Sequence, residues 1–346
     1  MTHPRKQDLE RRTFLRQAAL LGAAMFTSGA EAAEIPGGLK SRIGLALYTV
    51  RDIMANDFEG VLAKIAKMGY REVEPASGYN NMDPKSFRAM LDRYGLSMPS
   101  THTNYPDGTG AELEKQLEAQ QVMGIKYTEI RTGQPRPGAR PQLPKEALEP
   151  GAYFNPGTGI TNNSFKELGA FGPNQPPVTL DSVNKRAATL NANGKIARKF
   201  GIQLFVHNHT GEFEKLTDSS KTTWDVLLEE TDPELVVMQL DIGWTFIAGV
   251  DPVELFKKNP GRYPLWHIKD VFGLKAVPPS LRPNERTKYM AFGPVGAGQI
   301  DYKRVFANAS LAGLKHFVVE QDNAASFGDS LAAAQLSYKN LAKILS

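Results

Sequence analysis

The chain contains no cysteine, which excludes disulfide staples, thiolate zinc centres, iron–sulfur clusters and a cysteine nucleophile together. Any metal must therefore be held by imidazole and carboxylate groups, and histidine is itself scarce, with 6 in 346 residues. An excess of one charge is also lacking. Lys and Arg number 41 against 37 Asp and Glu, a formal net charge of +4, so nothing marks an electrostatic footprint for nucleic acid or an anionic bilayer. No apolar run approaches the ~20 residues of a membrane-spanning helix, and neither a dinucleotide glycine fingerprint nor a P-loop occurs. What remains is an ordinary globular composition, 41% apolar and 23% charged, with 31 Gly and 23 Pro. It supports an apolar core and excludes disordered, collagenous and coiled-coil chains.

The N-terminus reads as a separate segment. Arg11-Arg12, then Phe14-Leu15, an apolar run over 18–26, and Ala30-Glu31-Ala32 before Ala33 resemble a twin-arginine export signal with its cleavage site. Residues 1–32 are therefore expected to direct export to the periplasm or another extracytoplasmic compartment, leaving 33–346 as the working domain. The signal carries Arg5, Lys6, Arg11, Arg12 and Arg16 against Asp8, Glu10 and Glu31, so its removal brings the chain closer to neutrality.

The rest alternates short apolar runs with stretches of helical spacing. Candidate strands are 42–49, 72–75, 97–103, 126–130, 203–207, 236–241, 264–269 and 317–320. Helical stretches lie at 60–68, 84–94, 111–123, 182–200, 222–230, 252–258, 302–312 and 328–345; in the first, Val61, Leu62, Ile65 and Met68 recur on one face. Eight strand–helix units predict an α/β fold, a single (β/α)8 TIM barrel. Two Pro- and Gly-rich segments interrupt the pattern, 131–178 after strand four and 273–298 after strand seven. Loops of that length at the C-terminal face of a barrel read as lids or pocket walls.

Polar residues gather where the later strands end. Strand five ends His207-Asn208-His209-Thr210-Gly211-Glu212, and strand six Gln239-Leu240-Asp241-Ile242-Gly243-Trp244. Strand seven gives Trp266-His267-Ile268-Lys269-Asp270, and strand eight Val319-Glu320-Gln321-Asp322. An apolar run ending in Asp, His or Glu sets that group at the barrel mouth, and consecutive strands bring such ends to one point. Carboxylates with imidazoles suit Mn²⁺, Mg²⁺, Zn²⁺ or Co²⁺. Glu74, His102 and, more weakly, Glu129 end earlier strands and face the same mouth as candidate substrate contacts. Tyr48, Trp244, Trp266 and Phe292 offer apolar walls for a sugar. Plainer readings compete: His267 as a satisfied core histidine, Asp241 and Glu320 as caps, the aromatics as packing. His316 is expected at the opposite end of the barrel.

Leu240-Asp241-Ile242-Gly243, His267-Ile268-Lys269-Asp270, Glu320-Gln321-Asp322 and Gly296-Ala297-Gly298-Gln299-Ile300-Asp301 resemble the sugar phosphate isomerase/epimerase (xylose isomerase-like TIM barrel) superfamily. The resemblance runs over about 42–345. That superfamily includes keto-sugar epimerases, inosose dehydratases and endonuclease IV. It implies one divalent metal, Mn²⁺ foremost, with Asp241, His267 and Glu320 as ligands from strands six to eight. Many members carry Glu on strand five, where this chain has His207-Asn208-His209. His209 is the favoured first ligand, with His207 and Glu212 as alternatives; residues two apart share a face while the strand continues. The implied chemistry is proton abstraction beside a carbonyl, giving an enediolate. Glu320 is the first candidate base, Lys269 would neutralise the oxyanion, and Asp270 would orient His267. Glu212 completes the catalytic candidates; Glu74, His102, His207 and Trp244 are those for substrate binding.

The function implied is that of an exported, metal-dependent isomerase or epimerase acting on a keto-sugar or polyol ketone. Loss of the strand-five Glu weakens symmetric two-base epimerisation. A lyase or dehydratase eliminating beside the carbonyl of a 3-keto-glycoside or inosose is the alternative, and a non-catalytic carbohydrate-binding barrel is a third reading. The expected partner is a small sugar, with no nucleic acid and no membrane once the signal is removed; a homo-oligomer is allowed.

Overall fold

Near-continuous apolar runs form short parallel strands covered by helices, as parallel sheets require. The computed structural model describes residues 35–75, 82–102, 110–129, 177–273, 277–278 and 280–346. The export segment 1–32 and nearly all of the 131–178 loop lie outside the described residues. In chain order the strands are β1 (Gly44–Ala46), β2 (Glu72–Glu74), β3 (Ser100–Thr101), β4 (Tyr127–Glu129), β5 (Gln203–His207) and β6 (Val236–Asp241). They continue with β7 (Leu265–Ile268), β8 (Asp270–Phe272), β9 (Ala291–Gly293) and β10 (His316–Val319). Eight pair side by side in the order β2-β1-β10-β7-β6-β5-β4-β3. A bridge between Glu72 and Ser97 joins the two ends, so the barrel is nearly closed. β8 and β9 form a separate antiparallel ribbon, the base of the segment that follows strand seven.

One helical region follows each barrel strand: Phe58–Met68, Pro84–Arg93, Ala111–Met123, Leu180–Arg198, Thr223–Glu230, Pro252–Lys258, Tyr302–Ala307 with Ala309–Ala312, and Ser330–Ile344. Several begin on a side chain that accepts a backbone N–H, such as Asp57, Thr222 and Asp329. Strands one and three are shorter than expected. Leu47–Val50 turns into a 3₁₀ helix. In strand three Pro99 has no N–H for the ladder, and its carbonyl accepts from Lys126 and Tyr127 at 2.8 and 3.0 Å.

Alternation along the strands positions the site. Leu204, Val206, Val236, Met238, Leu240, Trp266 and Ile268 belong to the main core cluster. The alternate residues Phe205, Val237 and Leu265 form a second cluster with Tyr127 packed on it, which fills the inside of the barrel. Two residues further along those strands stand His207, Gln239, His267 and Glu129, and one step beyond them Asp241 and Lys269. Polar groups thus sit directly on an apolar plug. Among the described residues no helix is long and apolar enough to cross a membrane.

Candidate active site

The lower polar layer is a closed hydrogen-bonded network. Glu74 Oε1 lies 2.5 Å from His267 Nε2 and 3.2 Å from His102 Nε2. Glu74 Oε2 accepts from Gln239 Nε2 at 2.8 Å and from the Ser100 hydroxyl. His102 Nδ1 stands 3.0 Å from Glu129 Oε2. Gln239 Oε1 is 2.6 Å from His102 Nε2 and 2.8 Å from His207 Nδ1. An ionised carboxylate only accepts, so the amide nitrogen of Gln239 must face Glu74 and its oxygen the two imidazoles, each of which must donate. Burial works against charge on His102, but Glu74 and Glu129 carry its pKa up to about 10. Burial likewise opposes charge on Glu74, yet His267 and His102 hold it well below the usual carboxylate range. Only 1% of Glu74 is exposed; its carboxylate meets imidazoles, an amide and a hydroxyl.

Above this layer, Asp241, His267 and Glu320 each offer a ligand atom within 4.8 Å of the others. His267 Nδ1 lies 2.6 Å from Glu320 Oε2 and 4.0 Å from Asp241 Oδ2. The buried ammonium of Lys269 sits among three carboxylates, 3.1 Å from Asp241 Oδ2, 2.9 Å from Glu320 Oε2 and 3.0 Å from Asp322 Oδ1. Burial would discharge it, but those carboxylates hold it well above the ordinary lysine range. Burial lowers His267 while Glu74 and Glu320 raise it, to about 9. Glu320 is pulled well below its usual range by Lys269 and His267 against the cost of burial. Burial prevails at Asp241, which rises to about 6 despite Lys269.

Asp241 reconciles the cap and ligand readings, because each uses a different oxygen. Oδ1 accepts the Trp244 N–H at 2.9 Å, starting the helix Ile242–Ile247. Oδ2 is buried with no hydrogen bond but is ion-paired with the Lys269 ammonium at 3.1 Å and lies 4.0 Å from His267 Nδ1. A buried carboxylate oxygen that already meets an ammonium beside a second carboxylate and an imidazole stands where positive charge is favoured, and such donors suit a divalent ion. Local packing holds the group in place. Asn208 Oδ1 accepts the Asp241 N–H at 2.9 Å, tying the ends of β5 and β6. At Gly243 a Cβ would come 2.6 Å from Lys269 Cβ, so glycine lets the helix approach β7. His102, His207 and His267 form a second group of clustered ligand atoms, whose nitrogens face Gln239 and Glu74 as described.

Several expected residues are placed differently. His209, the favoured strand-five ligand, belongs to neither group: its ring stands edge-on to Trp244 at 5.3 Å. β5 ends at His207, so the alternation that would align the two histidines stops first. Burial and Lys269 push His209 down to about 4. Glu212 Oε2 accepts the His209 N–H at 2.8 Å. Asp270, expected to orient His267, turns the other way. It accepts the N–H groups of Gly296, Gly298, Ile300 and Val271 at 2.8, 3.0, 3.2 and 2.9 Å.

Three of those amides belong to the Gly-Ala-Gly-Gln-Ile-Asp stretch: it wraps the Asp270 carboxylate, and a Cβ at Gly298 would fall 2.2 Å from Asp270 Oδ1. Burial raises Asp270 to about 6 against these donors. Asp270→Ala is expected to destabilise the protein by about 2–4 kcal/mol, because buried amides lose a charged acceptor. Urea unfolding measures this, and a loss under about 0.5 kcal/mol, the size of ordinary surface substitutions, would refute the anchoring role.

Trp266 is no pocket wall; it stacks on Phe256 at 4.9 Å in the core behind the barrel. Trp244 and Phe292 meet edge to face at 4.8 Å, with Lys269 Nζ 5.5 and 5.3 Å from their rings. Tyr48 lies under the Arg51 guanidinium at 3.8 Å. His316 begins β10 and pairs with Glu72 at 2.9 Å, at the opposite end of the barrel. Sequence reasoning missed Gln239, Ser100 and Asp322. Gln239 carried a signal, since it stands two residues before Asp241 on the same strand.

Residues 62–338 match the family described as xylose isomerase-like TIM barrel. The chain belongs to that family. Among curated relatives, the inosose dehydratase of Geobacillus kaustophilus is 27% identical over 219 residues, covering 61% of this chain and 61% of that protein. The inosose dehydratase of Lacticaseibacillus casei is 24% identical over 282 residues, covering 77% and 83%. The match thus spans 61% of the Geobacillus protein and 51% of a Bacillus cereus inosose dehydratase. Among solved structures, a sugar phosphate isomerase/epimerase from Parabacteroides distasonis superposes with a TM-score of 0.61 at 19% identity, covering 92% of this chain and 97% of that one. An L-ribulose 3-epimerase superposes with a TM-score of 0.55 at 15% identity, covering 88% and 94%. At these identities the structural likeness is one of fold.

Proposed function

We propose that this family member is a divalent-cation-dependent enzyme that removes a proton beside the carbonyl of a keto-sugar or cyclitol ketone. Elimination of a neighbouring hydroxyl or glycosidic oxygen is the favoured outcome, and epimerisation or isomerisation the second. The observation that carries this reading is the buried cluster of Asp241, His267 and Glu320, whose ligand atoms lie within 4.8 Å of one another beside the Lys269 ammonium. The inosose dehydratase names of the relatives support elimination. So does the imidazole on strand five, because two-base epimerisation asks for a second carboxylate on the opposite substrate face.

Asp241, His267 and Glu320 would hold the cation, which when bound would supply Lewis-acid polarisation of a carbonyl. Glu320, kept ionised by Lys269 and His267, is the carboxylate placed to take the proton from the carbon beside that carbonyl, as a weak base. The Lys269 ammonium, 2.9 Å from it, neutralises negative charge growing on the substrate oxygen without reorganising at the moment of reaction. Trp244 and Phe292 lend apolar surface beside that charge, which strengthens it.

Incubation of the Mn²⁺-loaded protein in D₂O with inosose, free ketoses and 3-keto-glycosides, followed by NMR, tests the reading. Loss of the hydrogen at the carbon beside the carbonyl is expected, giving an enone where elimination occurs and deuterium at an inverted centre where epimerisation does. Binding without exchange or turnover across the panel would leave a carbohydrate-binding barrel and overturn the enzymatic reading. The same proposal takes residues 1–32 as an export signal. Protein recovered from the extracytoplasmic fraction of its host is expected to begin near Ala33, and an intact Met1 there would remove that part.

A further inference from the structure

We propose that the His209 imidazole is a substrate-binding group, hydrogen-bonded to a hydroxyl of the ketone remote from the carbon that loses its proton. This rests on the reading that a keto-sugar or cyclitol ketone occupies the barrel mouth. His102, His207, His267 and His316 each engage a ring nitrogen with a side-chain oxygen. Among the described residues, no hydrogen bond or ion pair reaches either ring nitrogen of His209; its main-chain N–H goes to Glu212. The ring is nevertheless held. It is half-buried and stands edge-on to the His207 ring at 5.1 Å and to the Trp244 ring at 5.3 Å, so two walls fix where its nitrogens point. A polar group set in place without a protein partner is ready for one from a ligand.

The chemistry of the ring narrows that ligand. No carboxylate pairs with it among the described residues, and the Lys269 ammonium disfavours a second positive charge there. A neutral imidazole offers one N–H donor and one lone pair. Those two roles match an alcohol, which both donates and accepts, whereas an ionised carboxylate or phosphate only accepts and favours a full positive charge. Position narrows it further. β5 lies three strands round the barrel from β10, at whose end Glu320 stands. A ketone whose reacting carbon meets Glu320 therefore reaches His209 with a hydroxyl from further round its ring, beyond the carbons flanking the carbonyl. His209 thus reads substrate identity and takes no part in the bond changes.

Full-length protein in Mn²⁺ buffer is titrated calorimetrically with inosose, free ketoses and 3-keto-glycosides; the tightest binder and its monodeoxy analogues are then the probes. His209→Phe keeps a flat ring beside Trp244 and removes both nitrogens. It is expected to weaken binding of the probe about 10-fold or more, as when a buried hydroxyl is left without its partner. His209→Ala, which needs no extra room, should behave likewise, with circular dichroism checking the fold of both. Cation content and urea unfolding of His209→Phe should stay at wild-type levels, whereas a purely structural ring would alter them. His209→Gln restores a donor and an acceptor and should bind within about 3-fold of wild type. Discrimination is the sharpest readout. The wild-type chain should bind one analogue, lacking a hydroxyl beyond the carbons flanking the carbonyl, about 10-fold more weakly than the parent, and His209→Phe should bind the two alike. Where the probe is turned over, the loss in kcat/KM should lie in KM. Binding by His209→Phe within about 2-fold of wild type, with discrimination intact, overturns the assignment alone. So does a loss confined to kcat, which would place the ring at the reacting atoms. Weakened binding in the variant, with no turnover by the wild-type chain, would keep the contact and overturn the enzymatic reading. A wild-type chain that binds none of the ketones overturns both.

Discussion

Alanine in place of His267 is expected to abolish cation retention and lower kcat/KM by about 10³-fold or more, which is ~4 kcal/mol at 1.36 kcal/mol per decade. His267 bridges both layers, with Nε2 on Glu74 and Nδ1 on Glu320. Its removal deletes a ligand and leaves two buried carboxylates without their imidazole. An uncompensated buried charge costs about 3–5 kcal/mol, so the metal-free variant should also unfold at lower urea while its helical signal stays near wild type. Elemental analysis, urea unfolding and circular dichroism read the three effects separately. His316→Ala is the contrast. That histidine pairs with Glu72 at the far end of the barrel, and its loss should leave metal content unchanged. Full metal content and activity in His267→Ala would end the assignment.

Lys269→Met separates the stabilising role of that ammonium from its chemical one. Its Nζ lies within 3.1 Å of carboxylate oxygens of Asp241, Glu320 and Asp322. Methionine keeps much of the buried stem and removes the charge. The metal-free variant is expected to lose about 3–5 kcal/mol in urea unfolding, because three carboxylates are left facing one another. A divalent ion should recover more stability in the variant than the about 2.7 kcal/mol that 100-fold excess over Kd gives an ordinary site, since it replaces the missing cation. Turnover of the loaded variant should still fall about 10²–10³-fold, the usual cost of losing a group that stabilises developing negative charge. A metal-free variant as stable as wild type would contradict the charge balance drawn here.

The barrel and most of its site were legible in the chain because strand ends announce themselves. Asp241, His267 and Glu320 each close an apolar run, and alternation puts Lys269 on the face of His267 and Gln239 on that of Asp241. The mouth positions of Glu74 and His102 were legible for the same reason, but their partners were not. Glu74 lies 193 residues from His267, and only barrel closure brings strand two across to strand seven. His207 and His209 do not share a face because β5 stops at His207, where Asn208 and Glu212 accept the Asp241 and His209 N–H groups. Asp270 was misread because adjacency to His267 suggested a shared face. Its carboxylate instead meets amides from residues 296–300, which nothing local could announce.

Residue identity and two-residue alternation are local properties, so the chain alone settles the barrel architecture, its family and the donor types at its rim. The folded barrel decides which donors meet, which oxygen of Asp241 caps a helix and which faces Lys269, and which nitrogen of His207 faces Gln239. Those outcomes depend on hydrogen-bond partners from distant strands, because a buried donor or acceptor takes whichever partner closure brings within reach.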